Sequence, residues 1–180
     1  MIISPLLVNA VNLSKEKKAL DLGFGNGLDI LYLLTKGFQV TAIEKDKILI
    51  EEIQKLNLEN LNIVHEDILN YNFKETYDLI NCSFVLHFLK KDARNILNKI
   101  KNSTTLNGIN LIITFIDQGD FTNIHEGFFR SNELKELYFD WDIIDYFERE
   151  VKTKETNSDG TPKKQFTAYL LAQKISLSAI

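Results

Sequence analysis

The chain has 180 residues, 44% of them hydrophobic and 26% charged, with a formal net charge of −4 and only two prolines. That size suits one domain, taken as 1–180, and the composition excludes collagen-like, coiled-coil and disordered classes. The acidic balance argues against a protein held on nucleic acid by phosphate contacts, so no nucleic-acid partner is expected.

Cys82 is the only cysteine, which excludes an internal disulfide and the cysteine clusters of structural zinc sites. The three histidines, His65, His87 and His125, are scattered, and no metal site is expected. The start, Met1-Ile-Ile-Ser-Pro5, lacks the basic residues and small-residue cleavage site of a signal peptide. The longest apolar candidate for a membrane span, Ile109 to Ile116, is short and interrupted by Asn110 and Thr114. A cytoplasmic protein away from membranes is the expectation.

Leu6, Leu7, Val8, Ala10, Val11 and Leu13 predict a short helix after Pro5, closed by the polar stretch 14–18. Ala19-Leu-Asp-Leu22 reads as a buried strand running into Gly23-Phe-Gly-Asn-Gly27. Ile30, Leu31, Leu33 and Leu34 give helical spacing from Leu28 to Lys36, with Gly37 as its C-cap. Phe38 to Ile43 is a second strand, ending at Glu44. The next helix, Lys47 to Leu56, is predicted to turn Ile48, Leu49, Ile53 and Leu56 inward.

Strands follow at Leu61–Val64 and Tyr77–Cys82, then a helix at Asp92–Ser103 with Ile96, Leu97 and Ile100 inward, and a strand at Ile109–Phe115. This alternation predicts right-handed βαβ units around a mostly parallel sheet. Ser131 or Asn132 is placed to cap a helix through Leu137. Trp141–Val151 and Gln165–Lys174 form a last, antiparallel strand pair, joined by the polar loop Lys152–Lys164 with its Asp159-Gly160 turn signal. A loop that long suggests mobility and service to a site. The fold expected is therefore a Rossmann-like α/β/α sandwich on a mostly parallel seven-stranded sheet.

Open α/β sheets bind ligands beyond the carboxyl ends of their strands, where this sequence places Asp21-Leu-Gly-Phe-Gly-Asn-Gly27 and, 21 positions after Gly23, Glu44. Glycines allow close backbone approach to a ligand at a helix N-terminus, and a carboxylate at that distance suits ribose hydroxyls. The G-x-G-x-x-G dinucleotide fingerprint fails, because its third glycine falls on Leu28. No P-loop is present either. The bland alternative is a tight strand-to-helix turn.

The segments 19–27, Val40-Thr-Ala-Ile-Glu44, His65-Glu-Asp67 and Tyr77-Asp-Leu-Ile80 resemble the ordered motifs of class I S-adenosylmethionine (SAM)-dependent methyltransferases. Within that superfamily the likeness is closest to the small tellurite-resistance methyltransferases. It includes Leu31-Tyr-Leu33, Phe129 to Leu134, Tyr138 to Trp141, the Asp159-Gly160 turn and the final run Phe166 to Lys174. The resemblance extends over nearly the whole chain.

It implies SAM as cofactor and S-adenosylhomocysteine as product. Asp21 and the loop Gly23, Phe24, Gly25, Asn26 and Gly27 would hold the methionine end. Glu44 would take the ribose hydroxyls and Lys45 line the adenine, with Glu66 beside it. Asp67 would accept from the adenine amino group, with the Ile68 backbone against the ring. Ser83 and Phe84 would border the sulfonium, and His87, one turn on, would reach the same mouth.

Blander roles stand beside these. Asp67 suits a turn, His87 a structural histidine, and Cys82 a small buried hydrophobe. The aromatic set Phe121, Phe128, Phe129, Tyr138 and Trp141 suits core or roof, with Phe121 and Phe128 favoured for the roof.

Methyl transfer is an in-line displacement that asks for alignment and a dry site more than for acid–base chemistry. The catalytic candidates are His87, Ser83 and Lys154. The substrate candidates are Phe121, Phe128, Arg130 and Lys154. The absence of a His/Asp pair suits an acceptor that is already nucleophilic, such as a soft oxyanion, thiolate or amine.

The resemblance points to tellurite or selenite. The sequence nevertheless carries Lys154-Glu155 and Pro162 where the family carries arginine-containing positions. Lys152, Lys154, Lys163 and Lys164 keep that stretch basic, without the planar fork of arginine. Two rival readings are a nucleobase or exocyclic-amine methyltransferase, suggested by Asn81-Cys-Ser-Phe84, and a non-catalytic SAM-binding protein. The expected partner is a small methyl acceptor, met by a monomer or homodimer.

Overall fold

A strand with apolar residues on both faces needs cover on both faces, and Leu20 and Leu22 point opposite to Ala19 in just such a strand. The computed structural model describes residues 3–121 and 127–176. Its strands β1 (Lys18–Leu22), β2 (Gln39–Glu44), β3 (Leu61–His65), β4 (Tyr77–Ser83) and β5 (Thr104–Gly119) pair in parallel. β7 (Pro162–Gln173) lies antiparallel between β5 and β6 (Asp142–Thr156). The order across the seven-stranded sheet is β3-β2-β1-β4-β5-β7-β6, the α/β architecture that the alternation predicts.

On one face α1 (Pro5–Leu13), α2 (Leu28–Thr35) and α3 (Lys47–Gln54) set Leu7, Ile30 and Ile53 against Ala19, Val40 and Leu111. On the other, the 3₁₀ segment Leu86–Asp92, α4 (Ala93–Asn102) and α5 (Glu133–Leu137) set Leu86, Ile96 and Leu134 against Leu20, Leu22 and Ile112. Local chemistry agrees with these spans. Pro5 opens α1, and the Asp46 side chain caps α3 by accepting from the Ile48 N–H at 2.9 Å. Among the described residues no helix is long and apolar enough to cross a membrane.

Two expectations are corrected. In α3, Ile50 and Ile53 are buried while Ile48 and Leu56 are exposed. Three successive apolar residues, 48–50, leave the helical phase open. Leu56, which set the predicted phase, lies beyond the last helical residue, Gln54.

The second correction concerns Lys152–Lys164, which is not a loop. β6 and β7 run on, pairing Lys152 with Lys164 and Thr156 with Pro162, so that only residues 157–161 turn. Lys163–Glu155 and Lys164–Glu150 ion pairs at 3.0 and 3.4 Å lace the ribbon. Both its faces are polar, so it lacks the apolar alternation by which a half-buried strand is recognised.

Candidate active site

The strand order turns at β1 and β4, whose connections leave in opposite directions across the sheet, and a crevice opens beyond their carboxyl ends. The glycine loop crosses it. The Gly23 N–H donates to the Ile43 carbonyl at 2.8 Å and the Gly27 N–H to the Phe24 carbonyl at 3.0 Å. A β-carbon on Gly27 would lie 2.2 Å from Ile53 Cδ1, whereas one on Gly25 would meet nothing within 4 Å. Gly27 is therefore needed for packing onto α3, and Gly25 borders open space.

The crevice has two lobes that share Gly23 and Phe84. The first, about 500 Å³, is lined by Glu44, Lys45, Glu66, Asp67 and Ile68, with Val85, Phe88 and Leu89 opposite. The second, about 350 Å³, is lined by Asp21, Phe24, Gly25, Asn26, Asp29, Asn81 and Ser83. Phe84 stands between them with a positive φ of 59°, an uncommon conformation for a bulky residue and one that collects at functional sites. Thirteen positions drawn from four separate stretches of sequence were predicted to hold a cofactor, and all of them line these two lobes except Gly27.

Glu44 is fixed by the backbone around it. Its Oε2 accepts from the Gly25 N–H at 3.2 Å, and its Oε1 from the Lys45 and Asp46 N–H groups at 2.8 and 3.1 Å. Asp67 does make the turn that its bland reading foresees, Oδ1 accepting from the Leu69 N–H at 3.0 Å, while Oδ2 faces Lys45 Nζ at 3.7 Å.

The smaller lobe holds an acidic cluster around Asn81. Asn81 Nδ2 donates to Asp21 Oδ1 at 2.9 Å and to Asp29 Oδ2 at 3.0 Å, and Ser83 Oγ donates to Asn81 Oδ1 at 2.7 Å. Asp21 is 2% exposed, and among the described residues its buried Oδ2 has no hydrogen-bond partner. Burial, then the neighbouring Asp29, push the Asp21 carboxyl up to about 8 against the Asn81 hydrogen bond, with Glu44 adding to the rise. Burial also raises Asp29, again opposed by Asn81.

A raised carboxyl means that the folded chain keeps a proton which the unfolded chain gives up from about pH 4. Asp21 therefore favours the fold at low pH, and this contribution is lost as pH rises through about 8. Asp21→Asn is expected to stabilise the protein by about 1–2 kcal/mol near pH 8 and to change little near pH 4, read by urea unfolding at both. A stability difference independent of pH would contradict the assignment.

The other candidates lie elsewhere. His87 is buried, its ring 4.3 Å from Phe115 and 6.2 Å from Phe128 between centroids, its Nδ1 3.5 Å from Thr114 Oγ1. Phe128 is buried, and Phe121 carries Lys163 Nζ 4.8 Å above its ring. Arg130 is exposed and paired with Glu133 and Glu136 at 3.8 and 3.2 Å. Lys154 is exposed on β6. None of these five lines either lobe.

Phe129, Tyr138 and Trp141 are core, as is Cys82, whose thiol is pushed up by burial and then by Asp21. His125 lies outside the described residues.

Sequence reasoning missed Asp29, the bonding role of Asn81, and Phe88. It also missed Arg94, which clasps Glu133 through two 2.8 Å bonds and the Phe128 carbonyl at 2.9 Å, tying the chain after residue 127 to α4.

The chain is 33% identical over 181 residues to a probable S-adenosyl-L-methionine-dependent methyltransferase TehB of Haemophilus influenzae, 93% of the chain being covered but only 61% of that relative. The chain thus spans about three-fifths of the relative's length. The crystal structure of TehB from Haemophilus influenzae superposes with a TM-score of 0.83 at 32% identity, over 96% of this chain and 62% of that one. A Burkholderia thailandensis 1,6-didemethyltoxoflavin-N1-methyltransferase, crystallised with 1,6-didemethyltoxoflavin and S-adenosylhomocysteine, shares the fold at 19% identity, with a TM-score of 0.70 over 96% of this chain and 77% of that one. The family model described as tellurite resistance protein TehB matches residues 3–171, and the chain belongs to that family.

Proposed function

We propose that this chain is a SAM-dependent methyltransferase acting on a small, soft nucleophile. The observation that carries the reading is the smaller lobe, where open space over Gly25 adjoins a buried Asp21 oxygen that lacks a partner among the described residues. An unpaired buried carboxyl oxygen calls for a donor, and the amino end of SAM is one. Bound SAM supplies a methyl group on a positively charged sulfur.

In this reading Asp21 and the loop from Gly23 to Gly27 hold the methionine end. Glu44 accepts from the ribose, and Lys45, Glu66, Asp67 and Ile68 line the adenine. Phe84 and Ser83, where the lobes meet, border the reacting centre and keep water from it. Catalysis then rests on alignment and exclusion of water.

Tellurite heads the acceptors, supported by the family's description; selenite, a like oxyanion, and small thiols follow. Arg130, Lys163 and Lys164 are committed to carboxylates, and Lys152 and Lys154 line neither lobe, so support for an oxyanion rests on the family's description and not on a cation in the crevice. Asn81 turns inward to Asp21 and Asp29, and so lends no support to an exocyclic-amine acceptor. We take the partner to be this small acceptor, the location to be the cytoplasm and the working form to be a monomer or homodimer.

Calorimetric titration with SAM, S-adenosylhomocysteine and NADH tests the cofactor. The first two are expected to bind and NADH to give no heat. Absence of SAM binding would overturn the reading. Formation of S-adenosylhomocysteine in the presence of tellurite, selenite or thiols then identifies the acceptor.

A further inference from the structure

Asp21 and Asp29 stand on different elements, β1 and α2, yet both accept from one amide nitrogen, Asn81 Nδ2, at 2.9 and 3.0 Å. Ser83 fixes that amide's orientation by donating to its oxygen at 2.7 Å. The groups facing Asp21 are Asp29 from α2, Glu44 from β2, and Asn81 and Cys82 from β4. None of these is a cation. A buried carboxyl, Asp21, and a half-buried one, Asp29, around a single neutral donor cannot both hold charge at ordinary cost, so Asp21, the more deeply buried, retains a proton until a cation replaces it. Asp29, in the first turn of α2, is the one that the helix dipole helps to stay ionised. The second, independent sign of a ligand is Asp21 Oδ2, buried at the floor of the recess and without a partner among the described residues.

We propose that Asp29 joins Asp21 across Asn81 in a two-carboxylate clamp for the charged amino group of the cofactor's amino-acid end, whose arrival expels the proton held on Asp21. The inference rests on the SAM reading above and adds to it a residue, Asp29, and a coupled proton. The proton leaves the Asp21 carboxyl for solvent, no covalent bond to carbon changes, and the ammonium supplies the compensating charge. Asn81 acts as a positioning residue that holds the two carboxylates the right distance apart.

Calorimetry of the whole chain with S-adenosylhomocysteine near pH 6.5, repeated in buffers of different ionisation enthalpy, counts the proton directly. About one proton is expected to be released per ligand bound, since the ligand's ammonium is fully charged at that pH. 5′-Methylthioadenosine, which lacks the amino-acid end, is expected to release none.

Asp21→Asn is expected to abolish the release. Asp29→Asn is expected to weaken S-adenosylhomocysteine about tenfold while leaving 5′-methylthioadenosine within about twofold, as removal of one charge-assisted contact should. The proton count on the unaltered chain requires no variant to fold. Binding of S-adenosylhomocysteine without proton release would overturn the proposal, as would an Asp29→Asn variant that loses both ligands equally. If neither ligand binds the unaltered chain, the SAM reading itself fails and the clamp with it.

Discussion

Glu44→Ala is expected to weaken SAM binding about 100-fold, the loss of roughly 2–3 kcal/mol that follows when a carboxylate stops accepting from hydroxyls. Three of the four acceptor sites on this carboxylate face backbone N–H groups, two on Oε1 and one on Oε2. One site is free for a hydroxyl, and the bond to Gly25, the longest of the three at 3.2 Å, is the weakest competitor for a second. The alanine variant therefore loses the ribose acceptor and also leaves three N–H groups to water. It should unfold about 1 kcal/mol more easily.

Glu44→Gln keeps one acceptor oxygen and is expected to fall between the two, which separates loss of an acceptor from collapse of the loop. Titration of all three proteins with SAM checks this. Unchanged affinity in Glu44→Ala would place the ribose elsewhere.

The features legible in the sequence are those whose signal is local. The Asp21–Gly27 turn and Glu44 sit at consecutive strand ends, and strand ends are where periodicity stops. The apolar runs mark all of β1 to β5, and the sheet brings the residues after β1, β2, β3 and β4 to the crevice. What stayed hidden depends on contacts between distant positions. Asn81 reaches Asp29 and Asp21 across 52 and 60 residues, and nothing adjacent to Asn81 announces it. Arg94 and Glu133, 39 residues apart, read separately as ordinary surface charges on two helices.

Arg130 is a candidate for its charge and Lys154 for standing in the stretch where the family carries arginine, and the structure gives that charge other employment or other surroundings. The phase of α3 was undetermined because 48–50 are all apolar. The outer part of the β6–β7 ribbon, residues 152–164, carries no apolar burial signal, its strands being held there by pairing and ion pairs.

Gly25→Val is expected to leave a folded protein with no measurable SAM binding, a loss of more than about 1,000-fold in affinity. Gly27→Val is expected to fail differently. Both glycines have positive φ, 54° and 74°, so a β-branched side chain costs about 1–3 kcal/mol of backbone strain at either. Their surroundings separate them. The Gly25 β-carbon would point into open space at the smaller lobe, with no protein atom within 4 Å, so the side chain fits but occupies the recess.

The Gly27 β-carbon would lie 2.2 Å from Ile53 Cδ1 and 3.0 Å from its Cγ1, so α2 and α3 must part or Ile53 must leave its place in the core. Overpacking of that kind costs a further 1–3 kcal/mol or so, and the variant should show its defect in urea unfolding. Trimming the partner in Gly27→Ala/Ile53→Val removes the offending methyl and is expected to recover part of the stability lost in Gly27→Ala, whereas no change at Ile53 should rescue binding in Gly25→Val. If Gly25→Val still binds SAM within about tenfold of the unaltered chain, the recess is not the ligand's place, for a ligand seated against the Gly25 backbone cannot share that space with a valine side chain.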